Sequence, residues 1–440
     1  MRAISSMLTR ASRTVVALGL AAGAAGAAGA QMPNASPKAF GMAGNFTAVA
    51  RGYEAVAWNP ANLAQYGRPF LSIGFMPFGG TVGMDPVGFN NLGAFGGQVV
   101  DSATRAAWVE LVKAAGRQRV RVDGGVTPFA MSLGPFGFQV GTSLYTNLDF
   151  GPGMWEALLF GNAGNHDGQA GDLDFTGTGV STAAFTTGAA SFAMAVPFKF
   201  TAGMLPNERL TVGVTAKYVL AHGMVNAIAD SGGTSSGGIS LSMPAVFPDS
   251  NYEALTGAGV GTGADLSMAW SAGPWRVGVL AENVFNSFKW DTTRLAYAQQ
   301  SFYFDQDTSY STGDELPYGS APLALRDQIR RQGFKPAINI GASFRISSNI
   351  TLTADMHQQM GGDDAISIGP KSRMGVGGEF RYVPFVPIRA GVASVTDGWQ
   401  AAAGFGVRLL GYEIGVSGSI RRRGSANESG MMIGIVGIGH

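Results

Sequence analysis

The chain has 440 residues, no cysteine, a formal net charge of +1, 13% charged residues and 66 glycines. Soluble proteins average about 25% charged residues and about 7% glycine, so an ordinary soluble globule fits poorly. The near-neutral balance gives no basis for a nucleic-acid partner. The lack of cysteine fits an exported protein that does without disulfides.

Residues 1–30 read as a cleaved secretory signal. Arg2, Arg10 and Arg13 form a basic start, Thr14–Leu20 opens an apolar stretch, and Ala28-Gly29-Ala30 is a small-x-small cleavage site. No later apolar run is long enough for a transmembrane helix. Residues 31–66 are rich in Gly and Ala without strand alternation, and they read as a compact pre-barrel segment with short helical turns.

Strands begin near Phe70. Expected spans are Phe70–Phe78, Val126–Leu133, Phe136–Tyr145, Ala184–Pro197, Arg209–Ala221, Gly259–Ser271, Trp275–Phe285, Lys335–Ile346, Asn349–Gln359, Arg373–Val383, Val386–Val395, Gln400–Leu410, Tyr412–Arg421 and Ser429–Ile438. The loop over 79–125 contains an expected helix, Asp101–Ala115, capped by Asp101 or Ser102, with Trp108, Leu111 and Val112 on one face. Ile239–Phe247 is a candidate loop hairpin. Turns such as Gly134-Pro135, Gly273-Pro274 and Ser347-Ser348 alternate with long loops, apart from the tight Asp397-Gly398. Short periplasmic turns, long outer loops and an even strand count produce this alternation. The expected fold is all-β: a transmembrane antiparallel barrel over 67–440, of about fourteen strands within a range of twelve to sixteen.

The period of two carries the membrane argument. Arg373–Val383 alternates Met374, Val376, Gly378, Phe380 and Tyr382 with Gly375, Gly377, Glu379 and Arg381. Leu210, Val212, Val214, Ala216, Tyr218 and Leu220, with Ile338, Ile340, Ala342, Phe344 and Ile346, are assigned to the lipid face. A cation there at mid-bilayer costs about 2–4 kcal/mol. The strand charges all share the opposite parity: Lys217, Arg276, Glu282, Arg345, Asp355, His357, Glu379, Arg381, Arg389, Arg408 and Glu413. With both signs present, a lumen salt-bridge network is expected, keeping the barrel round and wet.

Catalytic and metal signals are weak. His166, His222, His357 and His440 have no metal spacing. Asp355 with His357 lacks an identifiable nucleophile, so no enzymatic activity is expected. Gly257–Gly263 lacks the Lys-Ser/Thr of a phosphate loop and enters a strand. Asp167, Asp172 and Asp174 read as a solvated acidic loop rather than a Ca²⁺ site. No cofactor or metal is expected.

The run Gly41-Met42-Ala43-Gly44, through Ala48-Val49-Ala50, to Trp58-Asn59-Pro60-Ala61-Asn62-Leu63-Ala64 resembles the opening of the FadL-like outer-membrane proteins. That superfamily covers long-chain fatty-acid and aromatic-hydrocarbon transporters and secretion-associated barrels. Fainter likenesses lie at Arg209–Tyr218, at Asn283, at Ile338–Arg345 and at Val376–Tyr382. The resemblance implies a fourteen-stranded barrel with an N-terminal plug, in which Gly41, Gly44, Trp58, Asn59, Pro60 and Ala61 form the plug motif. Independently of family, Pro60 forces Asn59 into extended backbone, where its amide can satisfy free backbone groups. The C-terminal Gly439-His440 and the helix-bearing loop depart from the fatty-acid transporters.

Two functions follow. One is passive uptake of a hydrophobic, fatty-acid-like or aromatic small molecule, with Phe302, Tyr303, Phe304 and Tyr310 as candidate outer contacts. The other is a non-transport barrel that docks or shuttles secreted proteins. Either places the chain in outer-membrane lipid of a diderm bacterium.

Overall fold

A computed structural model describes residues 35–436 apart from 96–97, 162–172, 202–204, 236–237, 250–256, 305–307, 362–365, 367–368, 384, 397, 410–411 and 424–425. The signal segment, Asp167, Asp172 and the C-terminal Gly439-His440 lie outside the described residues.

Twenty strands follow one another among the described residues: β1 Leu71–Asp85, β2 Gln118–Leu133, β3 Phe136–Phe150, β4 Gly179–Val196, β5 Arg209–Ile228, β6 Ser231–Ser235, β7 Gly238–Pro248, β8 Gly259–Ala272, β9 Trp275–Asn286, β10 Lys289–Trp290, β11 Leu295–Phe304, β12 Thr308–Thr312, β13 Leu316–Pro317, β14 Ala337–Arg345, β15 Ile350–Gln359, β16 Ser372–Val383, β17 Val386–Val395, β18 Gly398–Leu409, β19 Tyr412–Arg423 and β20 Ala426–Val436. Fourteen of them pair antiparallel as neighbours around the wall. The order runs β1 to β5, then β8, β9 and β14 to β20. β20 then pairs back onto β1. The remaining six lie in the outer loops. β6 and β7 form the hairpin expected near 239–247, and β7 continues into β11 and its partners β12 and β13.

The wall alternates as lipid on one side and a crowded interior on the other require. Along 211–219 of β5, odd residues are buried and even ones partly or fully exposed. Tyr218, Leu266, Met374, Val376, Ile388, Val392, Ile414 and Ile420 are all more than half exposed or close to it. A soluble protein does not leave so much contiguous apolar surface in water. Aromatic side chains gather where the strands meet the short turns. Phe136 lies against Phe192 (5.1 Å), Phe198 against Phe200 (4.7 Å) and Trp275 against Phe344 (4.5 Å). That band matches the interfacial girdle of a membrane barrel. No described helix is long and apolar enough to cross a bilayer.

The wall is uneven in height. β5 has 20 residues and β4 has 18, whereas β14 has 9 and β15 and β17 have 10. Short turns fix the lower ends, so the extra length rises on the loop side. The sequence pattern stops β1 and β5 seven residues early and starts β2 eight residues late. Beyond the bilayer both faces meet water, and the alternation that marks a lipid-facing strand disappears. Cross-strand polar pairs replace it: Arg119 with Asp149 (3.1 Å), Arg121 with Asn147 (3.0 Å) and Thr146 with Thr182 (2.8 Å).

The loop helix Ser102–Ala115 is capped by Asp101, whose carboxylate accepts from the Thr104 amide, and it ends at left-handed Gly116. Trp108 and Val112 are buried, as read from the sequence, with Val87 and Trp155. Leu111 is instead 42% exposed and Val109 takes its place. The second helix, Pro152–Phe160, covers the side next to Val109 and sets the buried face.

Val376→Lys is expected to lower stability in a bilayer by about 2–4 kcal/mol. Val99→Lys, in a loop and 94% exposed, should stay within about 0.5 kcal/mol. Urea unfolding of both variants in lipid vesicles measures the difference.

Candidate functional site: a layered lumen

Residues 35–66 lie against the inner face of the wall. Short helical turns at Pro37–Gly41, Gly52–Glu54, Ala55–Trp58 and Pro60–Ala64 keep much of the backbone internally bonded. Phe46 packs edge-on against Trp58 at 5.5 Å, giving the segment its own small core.

Polar side chains tie this segment to the wall nearly all the way round. The Ala35 amide donates to Thr127 on β2 (3.0 Å), the Thr47 amide to Asp355 on β15 (2.9 Å), and the Ala61 amide to Ser267 on β8 (2.9 Å). Ser417 on β19 donates to the Pro37 carbonyl. The Gln65 amide group donates to Thr211 (2.8 Å) and to the Ala269 carbonyl (2.7 Å), and its oxygen accepts from Ser271 (2.8 Å).

The wall is bare where the segment touches it. A Cβ on Gly213 would fall 2.5 Å from the Ala61 nitrogen, on Gly278 2.5 Å from Asn59, and on Gly391 2.3 Å from the Met42 carbonyl. On Gly137 it would fall 2.4 Å from Val56.

The motif read from the sequence occupies this interface. Asn59 is extended (φ −174°), and its side-chain oxygen caps Pro60–Ala64 by accepting from the Ala61 amide at 3.1 Å. Its Nδ2 reaches the Met268 carbonyl on β8 (3.3 Å). Gly44 is left-handed (φ 79°), and a Cβ there would overlap the Arg373 guanidinium at 2.0 Å. Gly41 faces Ser417 and Gly404.

Most of the strand charges turn inward. Lys217, Glu282, Asp355, His357, Arg389 and Glu413 are each less than 5% exposed. Two groups form. Towards the turns, Arg389 bridges Glu379 (2.7 Å) and Glu413 (2.7 Å); Arg408 joins Glu413 (2.8 Å) and Arg381 joins Glu379. Lys38 of the N-terminal segment pairs with Glu54 (3.1 Å) and approaches Glu413 (4.0 Å), linking segment and wall. On the loop side of the segment, Lys217 pairs with Asp265 (2.5 Å) and donates to Asn283 (2.9 Å). Asn283 is left-handed (φ 51°) at a bulge between β8 and β9, and its amide donates to Asp265. Nearby, Asn339 joins Glu282 (2.5 Å) to His357 (2.7 Å). Arg276 and Arg345 stay apart from these groups, near the turn end.

Above this polar layer lies an aromatic one. Phe185 on β4 is fully buried beneath Phe334 (5.2 Å), Phe288 (5.7 Å), Trp290 (5.8 Å) and Tyr145 (6.2 Å). The loop between β9 and β14 delivers three of these rings, and its helix Leu323–Arg331 buries Leu325 and Ile329 in the same cluster. Of the candidate contacts Phe302, Tyr303, Phe304 and Tyr310, the first two are not part of it. They lie on the β11–β12 hairpin, with Phe302 opposite Tyr310 in register. Phe302 packs against the Leu241 cluster, while Tyr303, its neighbour on the strand, is exposed. The side chains of Phe304 and Tyr310 lie outside the described residues.

Sequence reading did not single out Gln65, Thr47, Phe185 or Phe288. Phe185 and Phe288 are isolated in sequence, whereas 302–304 form a run; only the barrel's closure brings the isolated rings together.

No family model and no curated protein sequence matches the chain. Solved structures do match. A TodX mutant described as a monoaromatic hydrocarbon channel aligns over 92% of this chain and 98% of its own, with 11% identity and a TM-score of 0.51. The Ralstonia pickettii toluene transporter TbuX aligns over 92% and 98%, with 12% identity and a TM-score of 0.48. A Pseudomonas aeruginosa FadL homologue aligns over 93% and 99%, with 11% identity and a TM-score of 0.46. The likeness in fold rests on the first. The chain shares the barrel fold of that channel structure. At this identity the match concerns architecture, and the layered lumen has to be read from its own residues.

Two variants probe the layers. Lys217→Met strands the buried Asp265 carboxylate and should cost about 3–5 kcal/mol, with Lys217→Met/Asp265→Asn recovering more than half in urea melts. Gly213→Val drives a side chain into Ala61 and should cost about 1–3 kcal/mol. Gly188→Val, on the same wall with nothing within 4 Å, should leave the heat-modifiability midpoint unchanged.

Proposed function

We propose that this barrel passively admits hydrophobic small molecules across the outer membrane through a lumen plugged by residues 31–66. The observation that carries this reading is the aromatic cluster around Phe185 on the loop side of the lumen, above the buried polar layer and the tethered N-terminal segment beneath it. A cluster of large rings at a barrel mouth offers an incoming apolar molecule the same contacts the rings make with one another. Such a molecule displaces a ring at little net cost and gains about 25 cal/mol per Å² of apolar surface buried. The tall wall of β1–β5 extends the lumen beyond the bilayer, and the loop carrying Phe288, Trp290 and Phe334 is the element that moves.

Passage also requires the plug to shift. Side-chain tethers at about 0.5–1.5 kcal/mol each hold it all along its length, so complete release would cost on the order of 10 kcal/mol. A local shift of part of the segment, with the remaining tethers intact, fits a passive route better. The lumen charges then hold the barrel's shape and the plug's seat, and the plug-motif residues set the seat itself. No feature of this lumen favours docking of a secreted protein.

The test is uptake of a fluorescent fatty acid into proteoliposomes. The wild type is expected to exceed protein-free vesicles, and Phe185→Ala/Trp290→Ala to change the rate several-fold. Because the chain has no cysteine, Ala61→Cys/Ser267→Cys can cross-link plug to wall; uptake should fall on oxidation and return on reduction. Wild-type uptake no faster than protein-free vesicles would end the transporter reading.

A further inference from the structure

The short-turn end of the lumen holds a cavity of about 370 Å³ below the N-terminal segment, with Pro274 and Ser348 of two short turns at its rim. Six basic side chains line it (Lys38, Arg51, Arg276, Arg345, Arg381 and Arg408) but only two carboxylates, Glu54 and Glu379. Three of the cations are neutralised: Lys38 by Glu54, Arg381 by Glu379, and Arg408 by Glu413 behind the lining. Among the described residues, Arg51, Arg276 and Arg345 have no carboxylate within ion-pair distance.

These three come from separate elements: the N-terminal segment, the start of β9 and the end of β14. Arg51 Nη1 donates to the Gly67 carbonyl at 2.9 Å, and Arg276 reaches towards the Tyr66 carbonyl at 3.5 Å. Both guanidinium groups are therefore held at the hinge where the segment enters β1. Burial, with Arg345 and then Arg381 close by, pushes the Arg51 guanidinium down to about 10. Three cations held together with no carboxylate at ion-pair distance repel one another, and the nearby Glu379 does not outweigh burial and the neighbouring arginines at Arg51. Folding tolerates this arrangement when an anion supplies the missing charge, and the planar forks of arginine suit the paired oxygens of a carboxylate or phosphate.

We propose that this vestibule is an oxyanion site in which Arg51, Arg276 and Arg345 bind a carboxylate or phosphate group, presented either as a free anion or as the head of an amphiphile. The site lies on the far side of the plug from the aromatic cluster. An amphiphile bound there has its charged end at the periplasmic mouth, and Arg51 couples its occupancy to the position of the N-terminal segment.

Calorimetric titration of the full-length protein in a nonionic detergent tests this, with inorganic phosphate, octyl phosphate and octanol as probes. Saturable binding of both phosphates is expected, with at least tenfold weakening in Arg51→Gln/Arg345→Gln and weakening in high salt. Octyl phosphate binding more tightly than inorganic phosphate identifies an amphiphile head; equal affinities identify a free anion. Arg276→Lys keeps the charge but loses the fork, and should fall between wild type and the double variant. Should the double variant not fold, as judged by heat-modifiability on gels, Arg345→Gln at the exposed rim carries the comparison. Phosphate affinity unchanged in the Gln variants, or no saturable binding of either phosphate, overturns the site. Uptake of a neutral hydrophobic probe should be unaffected by Arg345→Gln alone, which lies outside the N-terminal segment, and this separates failure of this site from failure of the transport reading.

Discussion

Everything inside this barrel follows from one constraint: an irregular stretch of chain is sealed inside a wall where its polar backbone cannot rely on bulk water. An unsatisfied amide or carbonyl there costs several kcal/mol. The wall meets that demand with side-chain hydroxyls and one carboxylate: Thr127, Thr211, Ser267, Ser271, Asp355 and Ser417 all bond the N-terminal segment or its side chains. These residues share the lumen parity with the charges. Because alternate positions must satisfy lipid, only the inward set is free to be polar, and the segment's hydrogen bonds must be found within it.

Close approach is the second half of the same constraint. Short Ser and Thr side chains reach the segment only where it lies close to the wall, and a β-carbon at the points of closest approach would prevent it. Gly213, Gly278 and Gly391 clear that space on β5, β9 and β17. The segment reciprocates with Gly41 and Gly44. Glycine is usually costly inside strands, but here the loss is recovered because the neighbouring strands of a closed ring hold the backbone on both sides.

The wall was largely legible in the sequence, since lipid imposes a period of two that no other environment enforces so uniformly. Strand order, the alternation of turns and loops, and the inward parity of Lys217, Glu282, Asp355 and Glu413 could all be read from it. Asn59-Pro60 was legible for a local reason, a proline that fixes the residue before it. What escaped was everything set by closure. The seven added residues of β1 and β5 lie where lipid no longer writes the pattern. Phe185 and Phe288 are about a hundred positions apart and carry no local signal. The run at 302–304 drew attention by its density, yet successive strand residues point to opposite faces, so tandem aromatics cannot all line one site. A site built from single residues on many strands is better sought among isolated aromatics of lumen parity.

The order of the layers is itself informative. From the loop side inward the lumen passes from the rings around Phe185, to the buried polar groups Lys217, Asp265, Asn283, Glu282, Asn339 and His357, to the N-terminal segment, and then to the arginine vestibule. A purely apolar channel would need none of the middle layer. Its buried groups are largely paired with one another, Lys217 with Asp265 and Asn283, and His357 Nδ1 through Asn339 to Glu282. On the proposed uptake reading, such pairing would let an apolar molecule pass without stripping a charge of its partner. The same pairing makes the layer a poor binding site for a free ion, which would have to compete with an internal partner at every position. On the proposed uptake reading, selection against polar solutes would reside in this layer and affinity in the aromatic layer above it. The bulge at Asn283 sits where the two layers meet, and it aims the Asn283 amide at Asp265 and the side-chain oxygen at Lys217. Without the left-handed turn at that residue, β9 would pair straight through and the lysine would lose one of its two partners.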